Sequence, residues 1–198
     1  MRILFIRHGE TETNAAGLLH AQEDPASLSE RGRDQVGRLA SALREYHPEA
    51  LYASPEKRGR ETSAILSQEF NLIVRDLPEF QERNWGQWSG KKWTDVEKEL
   101  AGMDLEQCYT FSPPDGESWK EVEERVRKGL SVVTSSSCET VAVVTHGGVL
   151  RTLMPLVTSL PRESSFRYDM RNASITVVDW DGAAFHVVLV DDVSHLDV

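Results

Sequence analysis

Arg2-Ile3-Leu4-Phe5-Ile6-Arg7-His8-Gly9-Glu10-Thr11 opens the chain. An apolar run of strand length delivers a histidine, then a glycine. The pattern returns later, where Val141-Ala142-Val143-Val144-Thr145 is followed by His146-Gly147-Gly148. Short apolar runs bounded by glycine read as buried strands, here 2–6 and 141–145. In open α/β sheets, ligands bind beyond the carboxyl ends of the strands. If these two strands are parallel neighbours, both imidazoles emerge into one cleft. The glycines let the backbone turn sharply and approach a ligand closely. Either histidine alone reads equally well as a turn residue. Two at matching places point to a site.

Between and beyond these strands the pattern alternates. A polar segment, 9–25, leads to Ser29, an expected N-cap for a helix with Val36, Leu39, Ala40 and Leu43 on one face. Residues 50–53 read as a strand. Ser54-Pro55 predicts an N-cap followed by proline at the first helical position, with Ala64, Ile65 and Leu66 inward. Residues 72–74 read as another strand. Residues 78–116 have no clear period and hold Trp85, Trp88 and Trp93. A helix follows Asp115, acidic early and basic late, with Trp119, Val122, Val126 and Leu130 on its apolar face. Residues 149–157 predict a helix. Runs 174–180 and 184–190 flank Asp181-Gly182, a hairpin signal. Strands alternating with helices predict an α/β sheet covered on both faces, made mixed by the final hairpin.

At 198 residues the chain suits a single domain, 1–198, with one core. No stretch approaches a membrane span, and the N-terminal apolar run is too short for a secretory signal. Two cysteines, Cys108 and Cys138, form no metal pattern and no disulfide framework. A cytoplasmic location is expected. The net charge of −10 makes nucleic acid and anionic membranes poor partners. A small anionic substrate is compatible with it, because a few converging cations outweigh a screened, diffuse surface charge. Arg58 lies in the first turn of the expected helix, where the macrodipole disfavours a cation. It reads either as a solvated helix start or as an anion ligand. With Arg7, His8 and His146 it completes a cationic pocket suited to a phosphoryl group.

These residues together resemble the histidine phosphatase superfamily, which includes cofactor-dependent phosphoglycerate mutases. The likeness runs through Arg-His-Gly-Glu-Thr at 7–11, Asn14, Leu28-Ser29, Gly32 and Gln35. It continues through Ser54-Pro55, Arg58, Thr62, Glu82, Gly86, Trp88, Gly90 and Gly116-Glu117-Ser118. Thr145-His146-Gly147-Gly148, Asn172, Ser174-Ile175-Thr176 and His195-Leu196 complete it. The resemblance implies a three-layer α/β/α sandwich, a phosphohistidine on His8, and no metal or other cofactor. It implies that Arg7, Arg58, His146, Asn14 and Gly147 bind the phosphoryl group and that Glu82 is the proton donor. Thr13, Leu18, His20 and Ala21 depart from the family pattern on the expected rim of the pocket. They bear on substrate identity rather than on the phosphoryl chemistry.

The chemistry suits these residues. Arg7 and Arg58 disfavour a second cation and so favour a neutral His8. Its other ring nitrogen needs an acceptor, expected to be a backbone carbonyl in the 8–11 turn. Guanidiniums and a second histidine supply fixed donors to the phosphoryl oxygens. One carboxyl group protonates the leaving alkoxide and then accepts a proton from water. Glu10 competes with Glu82 for that role but reads better as a turn contact. His20, His47, His186 and His195 show no ligand spacing and are expected to be structural or on the surface. The tryptophans read as core, with one or two at the mouth of the site. The leading expectation is a phosphatase acting on a small phosphorylated metabolite, as a monomer or homodimer. The alternatives are a phosphoglycerate mutase, for which the 81–116 segment is a short cap, and a phosphate-binding module without catalysis.

Overall fold

Apolar strands and amphipathic helices alternate in the computed structural model, which describes residues 1–197. In chain order the elements are β1 (Arg2–Arg7), α1 (Glu12–Ala15), α2 (Glu30–Leu43), β2 (Ala50–Ala53), α3 (Lys57–Phe70), β3 (Val74–Asp76), α4 (Trp93–Leu100), α5 (Leu105–Thr110), α6 (Trp119–Thr134), β4 (Thr140–Thr145), α7 (Gly147–Thr158), β5 (Ile175–Trp180) and β6 (Phe185–Asp192). The sheet order is β3-β2-β4-β1-β5-β6. The first four of these strands run parallel, and the C-terminal hairpin pairs antiparallel. β1 and β4 are central and covered on both faces, so they read as continuous apolar runs rather than alternating ones. The expected mixed sheet is the one observed.

Two apolar layers bury it. On one face Val36, Leu39 and Leu43 of α2 and Leu66 of α3 pack on Leu4, Ile6, Leu51 and Val144. On the other, Val122, Val126 and Leu130 of α6 and Leu150 and Leu153 of α7 pack on Ile3, Phe5 and Val143. A separate cluster of Trp85, Trp88, Val96, Tyr109 and Trp119 lies in and beside the 78–116 segment. That segment holds two short 3-10 turns besides α4 and α5. No helix of the described residues is long and apolar enough to cross a membrane.

Three local expectations are corrected. α3 begins at Lys57, with Glu56 rather than Ser54 at the N-cap. The Ser54 hydroxyl instead donates to the Glu56 carboxylate at 2.9 Å. The inward stripe of α3 is Arg58, Gly59, Thr62, Ser63 and Leu66, while Ala64 is exposed and Ile65 only partly buried. The strand expected at 72–74 forms at Val74–Asp76, because the Leu72 N–H donates back to the Ser67 carbonyl and closes the helix first.

Candidate active site

Register alone brings the two histidine motifs together. Arg7 pairs with Thr145 across β1 and β4, and the His8 N–H donates to the Thr145 carbonyl at 3.0 Å. The rings of His8 and His146 lie 5.0 Å apart, centroid to centroid. β2, on the far side of β4, ends beside them, with the Ser54 N–H on the Val144 carbonyl. Arg58 follows in the first turn of α3 and is fully buried. Asn172, just before β5, donates to the His8 carbonyl at 3.1 Å and to Asn14 Oδ1 at 3.2 Å.

His8 Nδ1 lies 2.7 Å from the Gly9 carbonyl oxygen. A carbonyl only accepts, so Nδ1 carries the hydrogen and Nε2 keeps its lone pair. The acceptor lies in the 8–11 turn, where the sequence places it. Burial pushes the His8 pKa well below its ordinary value, and His146, Arg58 and Arg7 add to the effect. The ring is therefore a neutral nucleophile at pH 7. Burial, rather than the two arginines, is the largest cause.

Arg7 Nε and both terminal nitrogens of Arg58 are buried without a hydrogen-bond partner, although Arg58 Nη2 lies 3.5 Å from Glu56 Oε2 as an ion pair. Buried cationic donors in that state are costly and call for an anion. Arg7 Nη1 donates to the Met170 carbonyl. Arg58 Nε donates to His146 Nδ1 at 3.2 Å, which makes that nitrogen an acceptor and puts the hydrogen on Nε2. His146 Nε2 meets the Glu56 carboxylate, with Ser54 Oγ at 2.8 Å. Both ring nitrogens of His146 are thus engaged by protein groups. Burial works to raise the Glu56 pKa, but the contacts with His146, Arg58 and the Glu82 N–H outweigh it and hold it at about 2. Burial also lowers His146. The arrangement is an ionised Glu56 accepting from a neutral His146.

Glu82 and His8 line one cavity of about 570 Å³. The Glu82 carboxylate accepts from the Arg83 N–H at 2.8 Å and the Gly148 N–H at 3.1 Å. Its backbone is held by Glu56, Gln22 and Arg125. A Cβ on Gly148 would collide with this carboxylate, so a larger residue there would displace it. Arg7, His8, Asn14 and Gly147 line the same cavity, whereas Arg58 and His146 sit behind the lining. Asn14 Oδ1 accepts from Asn172, which leaves the amide nitrogen to offer a ligand. Trp85, Trp93, Trp119, Phe166 and Leu18 form the apolar part of the wall, with Arg151 and Asp169 beside them. Trp88 is buried elsewhere, its indole N–H on Glu99. Glu10 accepts from Ser29 and pairs with Arg31, in keeping with a turn contact.

Three groups have no clear sequence signal. Glu56 reads as one more acidic residue. Arg83 is buried between the rings of Trp85 and Trp119 and buttresses the wall. His20, expected to be structural or on the surface, lines the cavity with its ring 6.0 Å from that of His8. Only its place among the departures from the family pattern marks it. His47 and His186 are exposed and His195 partly so. Among the described residues, no group of three or more His, Cys, Asp or Glu is placed to hold a metal ion.

The model of the histidine phosphatase superfamily (branch 1) matches residues 3–193. The chain belongs to that superfamily. It is 33% identical over 201 residues to a metal-independent phosphoserine phosphatase of Arabidopsis thaliana, covering 98% of this chain and 82% of that one. It is 28% identical to the adenosylcobalamin/alpha-ribazole phosphatase of Salmonella typhimurium, over 90% of each. Among solved structures, Bacillus stearothermophilus YhfR superposes with a TM-score of 0.86 at 29% identity, covering 98% of both chains. In this histidine phosphatase the Arg7-His8-Gly9 run closes β1 and His146 follows β4.

Proposed function

We propose that this histidine phosphatase hydrolyses a small phosphomonoester through a phosphohistidine on His8. The reading rests above all on three buried guanidinium nitrogens of Arg7 and Arg58 that lack hydrogen bonds and lie beside a neutral imidazole. Arg7 on the cavity wall suits the equatorial oxygens of a phosphoryl group, Arg58 adds positive charge from behind it, and His8 Nε2 supplies the attacking lone pair. In the first step Nε2 bonds to phosphorus, the ester P–O bond breaks, and the Glu82 carboxyl protonates the leaving oxygen. In the second step Glu82 accepts a proton from water as that water attacks phosphorus, and His8 is released. Asn14 and Gly147 contact the phosphoryl oxygens. Arg58 and His146 act from behind, with Glu56 fixing the tautomer of His146. The leaving group meets the aromatic wall and Arg151, in keeping with a small organic metabolite. The enzyme works in the cytoplasm without a cofactor. Its two free cysteines, Cys108 and Cys138, suit a reducing compartment.

The test is a panel of phosphorylated metabolites assayed in excess chelator. Phosphate release that survives the chelator is expected. Activity lost to chelator and restored by Mg²⁺ or Zn²⁺ would overturn the proposal. One arm supplies 3-phosphoglycerate with and without 2,3-bisphosphoglycerate. The 81–116 segment is a short cap over the site, so water is expected to compete and little isomerisation to occur. Rapid bisphosphoglycerate-dependent isomerisation would make the enzyme a mutase.

A further inference from the structure

His20 has no part in the mechanism above, yet it is buried on the cavity wall beside the nucleophile. Its Nδ1 lies 2.7 Å from Asp24 Oδ2, so that nitrogen carries a hydrogen. Its Nε2 lies 2.9 Å from Thr11 Oγ1. The Thr11 hydroxyl has one hydrogen and two acceptors within reach, His20 Nε2 and, at 3.0 Å, Asn14 Oδ1. It cannot serve both. If it donates to His20, the ring is neutral. If it donates to Asn14, then Nε2 must itself be protonated to keep its bond, and the ring is an imidazolium paired with Asp24. The heavy atoms fit both settings without moving.

We propose that His20 is a proton-accepting positioning residue of the phosphoryl site. A phosphate dianion entering beside His8 draws a proton onto His20 Nε2, and the Thr11 hydroxyl turns from that nitrogen to the Asn14 carbonyl oxygen. The proton comes from the monoester monoanion or from solvent, and no covalent bond to a heavy atom changes. The turn adds a hydroxyl donor to Asn14 Oδ1 beside Asn172 and the Thr11 N–H, which locks the amide nitrogen on the phosphoryl oxygen. The charged and titratable groups facing His20 are Asp24 on its own loop, Arg58 on α3, Glu82 and His8. Burial and Arg58 lower its pKa to about 4 despite Asp24, so the ring is neutral before the anion arrives. An opposite charge within a few ångströms shifts such a group by about 1–3 units, which from about 4 carries it back toward the ordinary histidine range.

This inference rests on the phosphomonoesterase reading, and one experiment separates the two. The full chain is labelled with ¹⁵N at its histidines and titrated with orthophosphate at about pH 6.5, the ordinary histidine range. The Nε2 resonance missing from His20→Gln identifies the residue. That resonance is expected to move from the unprotonated to the protonated position as orthophosphate saturates the site. The Asp24→Asn variant, which lacks the counter-charge, should bind orthophosphate with His20 still neutral. A merely structural His20 would keep one state throughout. Orthophosphate binding with Nε2 unprotonated in the wild type, or equal protonation in Asp24→Asn, overturns this inference alone. Failure of orthophosphate to bind at all overturns it together with the reading of the site.

Discussion

Glu82 and Gly148 meet at a distance that leaves no room for a methyl group, and their closeness sets two expectations for catalysis. General acid–base groups contribute about 10²–10⁴-fold, so Glu82→Gln should lower kcat by that order for an alkyl phosphate and much less for an aryl phosphate. An aryl leaving group needs no proton. Equal losses on both substrates would assign Glu82 to binding or folding. Gly148→Ala should reproduce the same leaving-group pattern more weakly, since it only displaces the carboxylate. A Gly148→Ala enzyme with unchanged alkyl phosphatase activity would show that the Glu82 position is not critical. The residues legible in the sequence are those whose setting is local. His8 and His146 each end an apolar run, and Arg58 stands where a helix start disfavours it. Glu56, Arg83 and His20 are not legible that way. Glu56 and Arg83 owe their roles to partners distant in the chain, Glu56 to His146 and Arg83 to Trp119 and Glu117, while His20 sits in an irregular polar loop whose fold over the site has no period to read.

Helix α6 ties its own start to the placement of Glu82. Ser118 Oγ accepts from the Glu121 N–H at 3.2 Å and Glu121 Oε2 accepts from the Ser118 N–H at 2.7 Å, a reciprocal cap. Beside it, the Glu117 carboxylate pairs with Arg125, which also donates to the carbonyls of Glu79, Gln81 and Glu82. Ser118→Ala should cost about 1 kcal/mol of stability, the usual loss for such a cap. Arg125→Met should cost more activity than Ser118→Ala, because it frees the Glu82 backbone. Thermal unfolding and kcat on an alkyl phosphate check the pair. The reverse order of activity losses would contradict this placement. α6 and the two motif-bearing strands follow their sequence periods closely. α3 does not, because its inward stripe is partly polar: Arg58 and Thr62 meet His146 and the Gly9 N–H, and the buried Ser63 hydroxyl donates to the Arg60 carbonyl. The edge strand β3 is equally hard to read. It is polar in two of its three residues, while the apolar Ile73 before it stands 86% exposed.

The molecule as a whole keeps several ionisable groups in states that acid reverses. His20 is held neutral to about pH 4, and His8 and His146 are lowered too. Their folded pKa values lie below the unfolded value near 6.5. Below that pH the unfolded chain binds protons that the fold refuses, and stability falls. Glu56, depressed to about 2, adds stability above its ordinary range near 4.5 that is lost as pH drops further. The thermal midpoint should therefore fall steadily from about pH 6.5 downward, and less steeply in His20→Gln. A midpoint that is flat down to about pH 5 would contradict the assigned neutral histidines. The same neutrality makes His8 a nucleophile within a chain of net charge −10, where the buried arginines supply the local positive field. The central claim is that this nitrogen takes the phosphoryl group, and trapping tests it most directly. Labelled monoester is mixed with enzyme and quenched within the first turnover. Label bound to protein that survives alkali and disappears in acid, and that is absent from His8→Ala, is the expected result. Acid-stable label, or label retained in His8→Ala, would place the nucleophile elsewhere and contradict the claim.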